Sequence, residues 1–111
     1  MAENKQYITQ IQENGSVQIS EEVLVSIIFQ AVEEVENVSL SGKPGKNWGK
    51  GIKVVIVEDN QVEVTCYVNV SYNQSVMSAA SAVQESVTTA LESMTGVKVT
   101  HVNVNVCGID R

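Results

Sequence analysis

Residues 75–94, with the sequence SVMSAASAVQESVTTALESM, decide the fold because they form a long amphipathic segment. Their apolar side chains recur at spacings of three and four, which places them on one face of a predicted helix: Val76, Ala80, Val83, Val87, Leu91 and Met94. Gly96 follows the last turn, where a left-handed C-cap favours a residue without a Cβ atom. We predict that this helix packs on a sheet built from the flanking segments.

The segment before this helix predicts a long strand, because its residues alternate strictly in character. One face is apolar, with Val62, Val64, Cys66, Val68, Val70 and Tyr72, and the other is polar, with Glu63, Thr65, Tyr67, Asn69 and Ser71. Such alternation indicates one buried face and one solvated face. Residues 51–57 predict a neighbouring strand, and the polar residues 58–61 join the two strands in a hairpin.

The segment after the helix, residues 97–107, predicts a last strand in which the apolar phase changes. Val97 and Val99 share one parity, whereas Val102, Val104 and Val106 share the other. A bulge near Thr100 and His101 accounts for this change. We expect this strand to run parallel to the strand that precedes the helix, through a right-handed crossover.

An earlier helix is predicted from its cap and its periodicity. Ser20 is a favourable N-cap, Glu21 and Glu22 follow in the first turn, and the helix extends to about Val35. It carries two adjacent apolar stripes, the first with Leu24, Ile27, Ile28, Ala31 and Val35, and the second with Val25, Phe29 and Val32. Either the N-terminal segment covers the second stripe, or the stripe contacts another copy or a partner protein.

These elements predict a single α+β domain over residues 16–111, in the order α-β-β-α-β. The expected sheet is three-stranded and mixed, with both helices packed on one face. Residues 1–15 are expected to be flexible or to form a short strand around Tyr7, Ile8 and Ile11. A turn at Asn14 and Gly15 precedes a short edge strand at Val17 and Ile19.

The composition fits one globular domain and limits the classes of partner. The chain has 111 residues, of which 43% are apolar and 18% charged, and its net charge of −6 disfavours nucleic acid. The polar N-terminus does not resemble a signal peptide, and no apolar run approaches the roughly 20 residues that span a bilayer. We therefore expect a cytoplasmic protein without direct membrane insertion.

No catalytic or metal-binding pattern stands out, so the chain is expected not to be an enzyme and to need no cofactor. His101 is the one histidine and is expected at the surface, because a metal site or a catalytic dyad requires further ligands or partners. Cys66 falls on the apolar side of its strand and Cys107 on the polar side, so a disulfide between them is not expected. Paired carboxylates at helix ends and turns are typical of solvated charge.

The loop over residues 39–50 supports an alternative function. Its residues 42–45, GKPG, match the Gly-x-x-Gly of KH domains, which clamps a nucleotide backbone. Residues 42–53 carry four of the seven basic side chains and one aromatic that can stack on a base: Lys43, Lys46, Trp48, Lys50 and Lys53. The alternative is therefore a KH-like nucleic-acid-binding module. A KH loop, however, joins two helices, whereas here a strand is predicted to follow.

Six short segments, taken in order, resemble the alkaline shock protein family. They are residues 19–23 (ISEEV), 34–38 (EVENV), 51–54 (GIKV), 83–87 (VQESV), 94–96 (MTG) and 102–108 (VNVNVCG), and the resemblance covers residues 17–108. Residues 72–75, YNQS, depart from the glycine and proline that the family often has here. The lysine-rich loop also differs from the family's usual glycine- and serine-rich version.

The resemblance implies a non-enzymatic protein of Gram-positive bacteria that is linked to alkaline and cell-wall stress. It implies protein partners, among them a membrane-anchored protein that holds the chain near the membrane. The surfaces that we assign to such contacts, or to a homo-oligomer, are the second stripe of the first helix and the polar sheet face. Their candidate partner-binding residues are Val25, Phe29, Val32 and Tyr67.

Overall fold

The computed structural model describes residues 7–40, 51–58 and 60–110. These residues form β1 Tyr7–Gln12, β2 Gly15–Ser20, α1 Glu21–Glu33, β3 Val38–Leu40, β4 Ile52–Glu58, β5 Gln61–Ser71, α2 Val76–Thr95 and β6 Lys98–Asp110. The fold is α+β, but the predicted three-stranded sheet in the order α-β-β-α-β is wrong, because six strands form two sheets.

The larger sheet is built around β5. β6 pairs with β5 in parallel along one edge, as the predicted crossover requires. β3 and β4 both pair antiparallel with the other edge, where Leu40 lies opposite Val68 and Ile52 lies opposite Cys66. The two short strands therefore lie end to end beside β5. β3 was missed because three residues are too few to show an alternation and are held in place by pairing with a distant strand.

The smaller sheet is a hairpin of β1 and β2 around the turn at Asn14 and Gly15. Ile8 pairs with Ile19 and is buried in the core. The edge strand predicted at Val17 and Ile19 thus forms, but it pairs with β1 and is not part of the main sheet. Most other side chains of the hairpin are exposed, so its sequence lacks the apolar row that marks a strand of the main sheet.

The side chain of Asn60, in the turn between β4 and β5, connects three parts of the chain. Its Nδ2 donates to the carbonyl of Gly96 at 3.2 Å, and its Oδ1 accepts from Nε2 of Gln10 at 3.0 Å. The same Gln10 nitrogen donates to the carbonyl of Thr95. The hairpin β1–β2 is therefore tied to the C-terminal end of α2 and to the β4–β5 turn.

The core lies between the two helices and one face of the larger sheet. The inner side chains of β5 are fully buried, which confirms the predicted alternation as far as Val70: Val62, Val64, Cys66, Val68 and Val70. Tyr72, which was predicted on the same apolar face, lies beyond the end of β5 and is 59% exposed. α1 contributes Leu24, Ile28, Ala31 and Val32 to the buried core, and α2 contributes Ala79, Val83, Val87 and Leu91. The buried side chains of this central strand thus pack the larger sheet against both helices.

α2 is capped at both ends, and Gly96 occupies the predicted C-cap. The Ser75 hydroxyl accepts from the N–H of Ser78 at 3.2 Å, and Gly96 adopts a left-handed φ of 78° after the last turn. The predicted buried face needs correction at both ends, because Val76 is 37% exposed and Met94 is 68% exposed. The buried row advances four residues at a time, and these two side chains lie outside it, in the first and last turns.

β6 contains two register shifts against β5. The first leaves Thr100 without a partner residue, which confirms the predicted bulge, and the Thr100 hydroxyl donates to the carbonyl of Val62 at 3.1 Å. The second shift leaves out Cys107, so that Gly108 lies opposite Asn69. Residues 101–106 therefore form a regular segment between two bulges.

We predict that Leu91→Ala lowers the free energy of unfolding by about 2–5 kcal/mol, because Leu91 is fully buried and its truncation leaves a cavity. Met94→Ala, in the same helix, is the matched control and is expected to change the free energy by no more than about 0.5 kcal/mol, because Met94 is exposed. Urea unfolding followed by circular dichroism measures both. Equal losses in the two variants would contradict the observed helix face.

Candidate protein-interaction surface

The face of the larger sheet opposite the core is the candidate site, and we call it the outer face. Its central row, on β5, is half-buried between the neighbouring strands: Glu63, Thr65, Tyr67, Asn69 and Ser71. Exposed side chains flank this row, with Lys53, Val55 and Val57 on β4 and His101, Asn103 and Asn105 on β6. None of these side chains belongs to the buried core cluster.

The strand register sets which outer-face side chains are neighbours. Thr65 lies between Lys53 of β4 and Asn103 of β6. The Asn103 amide donates to a carboxylate oxygen of Glu63 at 3.2 Å, and His101 is the cross-strand neighbour of Glu63. The surface thus offers mainly neutral hydrogen-bonding groups with few charges. Such a surface suits contact with a protein better than contact with a polyanion.

The four predicted partner-binding residues do not lie together. Val32 is fully buried in the core, and Val25 and Phe29 are partly buried and pack against the core cluster. Tyr67 is half-buried at the centre of the outer face. The structure therefore places the three α1 residues on the core side of the molecule and Tyr67 on the opposite side of the sheet.

The predicted nucleic-acid-binding residues fall mostly outside the described part of the chain. Lys43, Lys46, Trp48 and Lys50 are outside the described residues, and Lys53 is exposed on β4. The segment that carries the Gly-x-x-Gly motif joins β3 to β4, whereas the motif of a KH domain joins two helices. The strands on both sides of this segment therefore count against a KH-like loop.

The histidine and the two cysteines lie where their strand phase predicts. His101 is exposed on β6, Cys66 is fully buried, and Cys107 is exposed, with both cysteines free. Burial raises the pKa of the Cys66 thiol to about 12, so this thiol is protonated at neutral pH and is a poor nucleophile. Among the described residues, no group of three His, Cys, Asp or Glu side chains is placed to hold a metal ion.

An open groove of about 460 Å³ lies between the end of α1 and the first half of α2. Glu34, Glu36 and Ser86 are among its lining residues, and the Ser86 hydroxyl donates to the carbonyl of Ala31 at 3.0 Å. The described residues that line it include no histidine, cysteine or cation. This lining therefore supplies no imidazole base, no thiol nucleophile and no oxyanion-binding cation.

Sequence reasoning missed the flanking residues of the outer face. Val55 and Val57 are 38% and 48% exposed, although a valine-rich strand suggests burial on both faces. Asn103 and Asn105, which alternate with the valines of the last predicted strand, were not assigned a role. The alternation of valine and asparagine in residues 102–106 indicated a strand with one polar face. Only the strand pairing shows that this polar face continues the outer face of β5, because β6 lies beside β5 along its whole length.

Within residues 7–40, 51–58 and 60–110, neither helix is long and apolar enough to cross a membrane.

Comparison with known proteins supplies the family context. Residues 9–111 match the model of the alkaline shock protein 23 family, which is described as having a cell envelope-related function. The chain is also similar to the Bacillus subtilis (strain 168) protein named "Uncharacterized protein YqhY", with 30% identity over 105 residues that cover 86% of this chain and 77% of the relative. No solved structure matches the chain.

We predict that a maleimide at about pH 8 modifies Cys107 in the native protein and leaves Cys66 unmodified. Cys107 is exposed, whereas Cys66 is buried and its thiol is protonated at this pH. Mass spectrometry of the labelled chain is expected to show one adduct, and a second adduct after unfolding in guanidinium. Rapid native labelling of Cys66 would mean that the inner face of β5 opens.

Proposed function

The chain belongs to the alkaline shock protein 23 family, whose function is related to the cell envelope, and from this premise we propose that it is a non-enzymatic interaction protein of the envelope stress response. It acts through protein–protein contacts made by the outer face of the sheet. The resemblance to alkaline shock proteins is thereby confirmed as family membership. The link to alkaline stress in this organism and the mode of action are parts of the proposal.

The observation that carries the proposal is the solvated outer face of β5. A central strand that is fully buried on one side presents Thr65, Tyr67 and Asn69 on the other side, and these side chains are only half-buried. Amides and hydroxyls both donate and accept hydrogen bonds, so a row of them can match the polar surface of another protein. The exposed Val55 and Val57 at one side of the row add apolar area, which is typical of the buried centre of a protein interface.

The chemistry of the described residues also favours an interaction role over catalysis. The thiol of Cys66, in the core, is protonated at neutral pH because burial raises its pKa. The exposed His101 lies on an open surface, with Glu63 as its cross-strand neighbour. Catalytic acids and bases work in sites that exclude water. An open sheet face does not exclude water.

We further propose that the protein works in the cytoplasm and reaches the membrane through a membrane-anchored protein partner. The envelope-related function of the family supports this placement, since a cytoplasmic protein needs a contact to act at the envelope. The partner would bind the outer face, whose polar and weakly charged character suits a folded protein domain.

Site-specific photo-cross-linking in living cells tests this function. A photoreactive amino acid replaces Lys53 or Thr65 on the outer face, and Glu85, which is exposed on α2, is the matched control. We expect the two outer-face positions to capture the same protein, identified by mass spectrometry, and the Glu85 position not to capture it. Capture from Glu85 alone, or from none of the three, would contradict the proposal.

Growth at alkaline pH tests the biological part of the proposal. Thr65→Arg places a large charged side chain at the centre of the outer face without touching the core, and Glu85→Arg is the control on α2. We expect Thr65→Arg to sensitise cells to alkaline stress as strongly as deletion of the gene, with Glu85→Arg behaving as wild type. Normal growth of the Thr65→Arg strain beside a sensitive deletion strain would count against the outer face.

A further inference from the structure

The outer edge of β6 is an open strand edge. β5 pairs with β6 over its whole length, and no other strand in the described part of the chain pairs with β6. Side chains of α2 bond to two of its backbone groups, because Gln84 donates to the carbonyl of Val102 at 3.0 Å and Glu92 accepts from the N–H of Val99 at 3.3 Å. An open edge is a template for pairing with another strand.

The valines of β6 that face the core are less buried than their neighbours on β5. Val64, Cys66 and Val68 of β5 are fully buried, whereas their neighbours on β6, Val102, Val104 and Val106, are only partly buried. The two rows have the same apolar character and face the same core. The difference arises because β5 has a strand on each edge and β6 has one on a single edge. Another strand beside β6 would bury its valine row more completely.

The regular segment between the two bulges has a symmetric sequence. Residues 102–106, VNVNV, are the same in both directions around Val104. In an antiparallel pair centred on Val104, valine faces valine on the core side of the sheet, and Asn103 faces Asn105 of the second copy on the outer face. Like residues therefore meet at every position from 102 to 106, and the pair is two-fold symmetric because Asn103 contacts Asn105 of the second copy and Asn105 contacts its Asn103.

The charges along β6 fit the same arrangement. Between Lys98 and Asp110 the strand has no Asp, Glu, Lys or Arg, although open edges are commonly protected by charged side chains. Two chains that each carry a net charge of −6 can thus approach along residues 101–106, which contain no acidic side chain and add no charge repulsion of their own.

From these observations we infer that β6 pairs antiparallel with β6 of a second copy around a two-fold axis at Val104. The pairing joins two sheets into one continuous sheet and doubles the area of the outer face. The hydrogen bond from Gln84 to Val102 is exposed, so a backbone N–H of the second copy can replace it. The inference goes beyond the proposed function, because the pairing does not require that the outer face bind another protein.

Disulfide trapping tests the register of this pair. In a Cys107→Ser background, Asn103→Cys and Asn105→Cys are made as separate variants, since both side chains are exposed and outside the core. Directly opposite residues have Cβ atoms about 4.5–5.5 Å apart, whereas diagonal neighbours lie about 7–8 Å apart and are too distant for a disulfide. We expect mild oxidation to link the two variants in a mixture, and to link neither variant efficiently to itself.

Efficient linking of either variant alone, or no linking in the mixture, would overturn the register. The buried Cys66 is fully covered in the folded chain and acts as an internal check, because its labelling would report loss of the fold. The experiment also separates the two proposals. Disulfide trapping depends on β6 alone, whereas photo-cross-linking at Lys53 reports on β4, which lies on the side of β5 away from β6.

A charge exchange tests the pairing without a covalent bond. Asn103→Lys combined with Asn105→Lys places like charges opposite each other at two positions of the dimer. Asn103→Lys combined with Asn105→Glu places opposite charges there. From typical cross-strand pair energies, we expect the first variant to weaken dimerisation by roughly three- to thirty-fold, and the second to restore or strengthen it.

Sedimentation equilibrium measures dimerisation, and thermal unfolding checks that each variant retains the fold. A wild-type chain that is monomeric at every concentration would overturn the inference. So would a dimer that responds equally to the two charge variants, because its interface would then lie elsewhere on the molecule.

Discussion

The complete burial of one row of side chains on β5 is the constraint on which the rest of the structure depends. Each inner residue of this strand is fully buried, and burying an apolar side chain of this size contributes roughly 1.5–3 kcal/mol. The row requires a strand along each edge of β5 and a helix layer above it. β3, β4 and β6 supply the edges, and α1 and α2 supply the layer. The two helices and the other strands of the larger sheet are thus placed by their relation to β5.

The same constraint explains which surfaces remain available for function. Because successive side chains of a strand point to opposite faces, the residues between the buried ones of β5 lie on the outer face, and in this sequence they are mainly polar. β6 repeats the alternation but has a neighbour on one edge only, and its inner valines are half-buried. The centre of the sheet is thus covered on both edges of β5, whereas the outer face and the free edge of β6 remain accessible to other molecules. A family function related to the envelope is consistent with a role exerted through contacts at these surfaces.

The features that depend on residues close together in the sequence, such as helix caps, strand alternation and a bulge, were predicted from the sequence. Ser20 caps α1 and Gly96 caps α2, because a hydroxyl can accept from an exposed N–H and glycine tolerates a positive φ. The alternation of β5 and the bulge at Thr100 were also visible in the sequence, because a change of apolar phase within one strand indicates an inserted residue.

The features that depend on distant parts of the chain were not predictable in the same way. β3 is a strand because Val38 lies opposite Val70, and three residues show no periodicity of their own. The exposure of Met94 depends on where α2 crosses the sheet. For the interaction surfaces, residues 102–106 show their symmetry in the sequence, but only the strand order reveals that their backbone lies at an open edge.

Hydrogen–deuterium exchange, measured across a wide range of protein concentration, tests most directly whether the open edge of β6 pairs with a second copy. We expect exchange in residues 101–106 to slow as concentration rises, while exchange in α2, which is packed on the core, does not change with concentration. Exchange of residues 101–106 that is the same at every concentration would contradict pairing along β6, because an open edge that pairs with a second copy must gain hydrogen bonds when that copy is present.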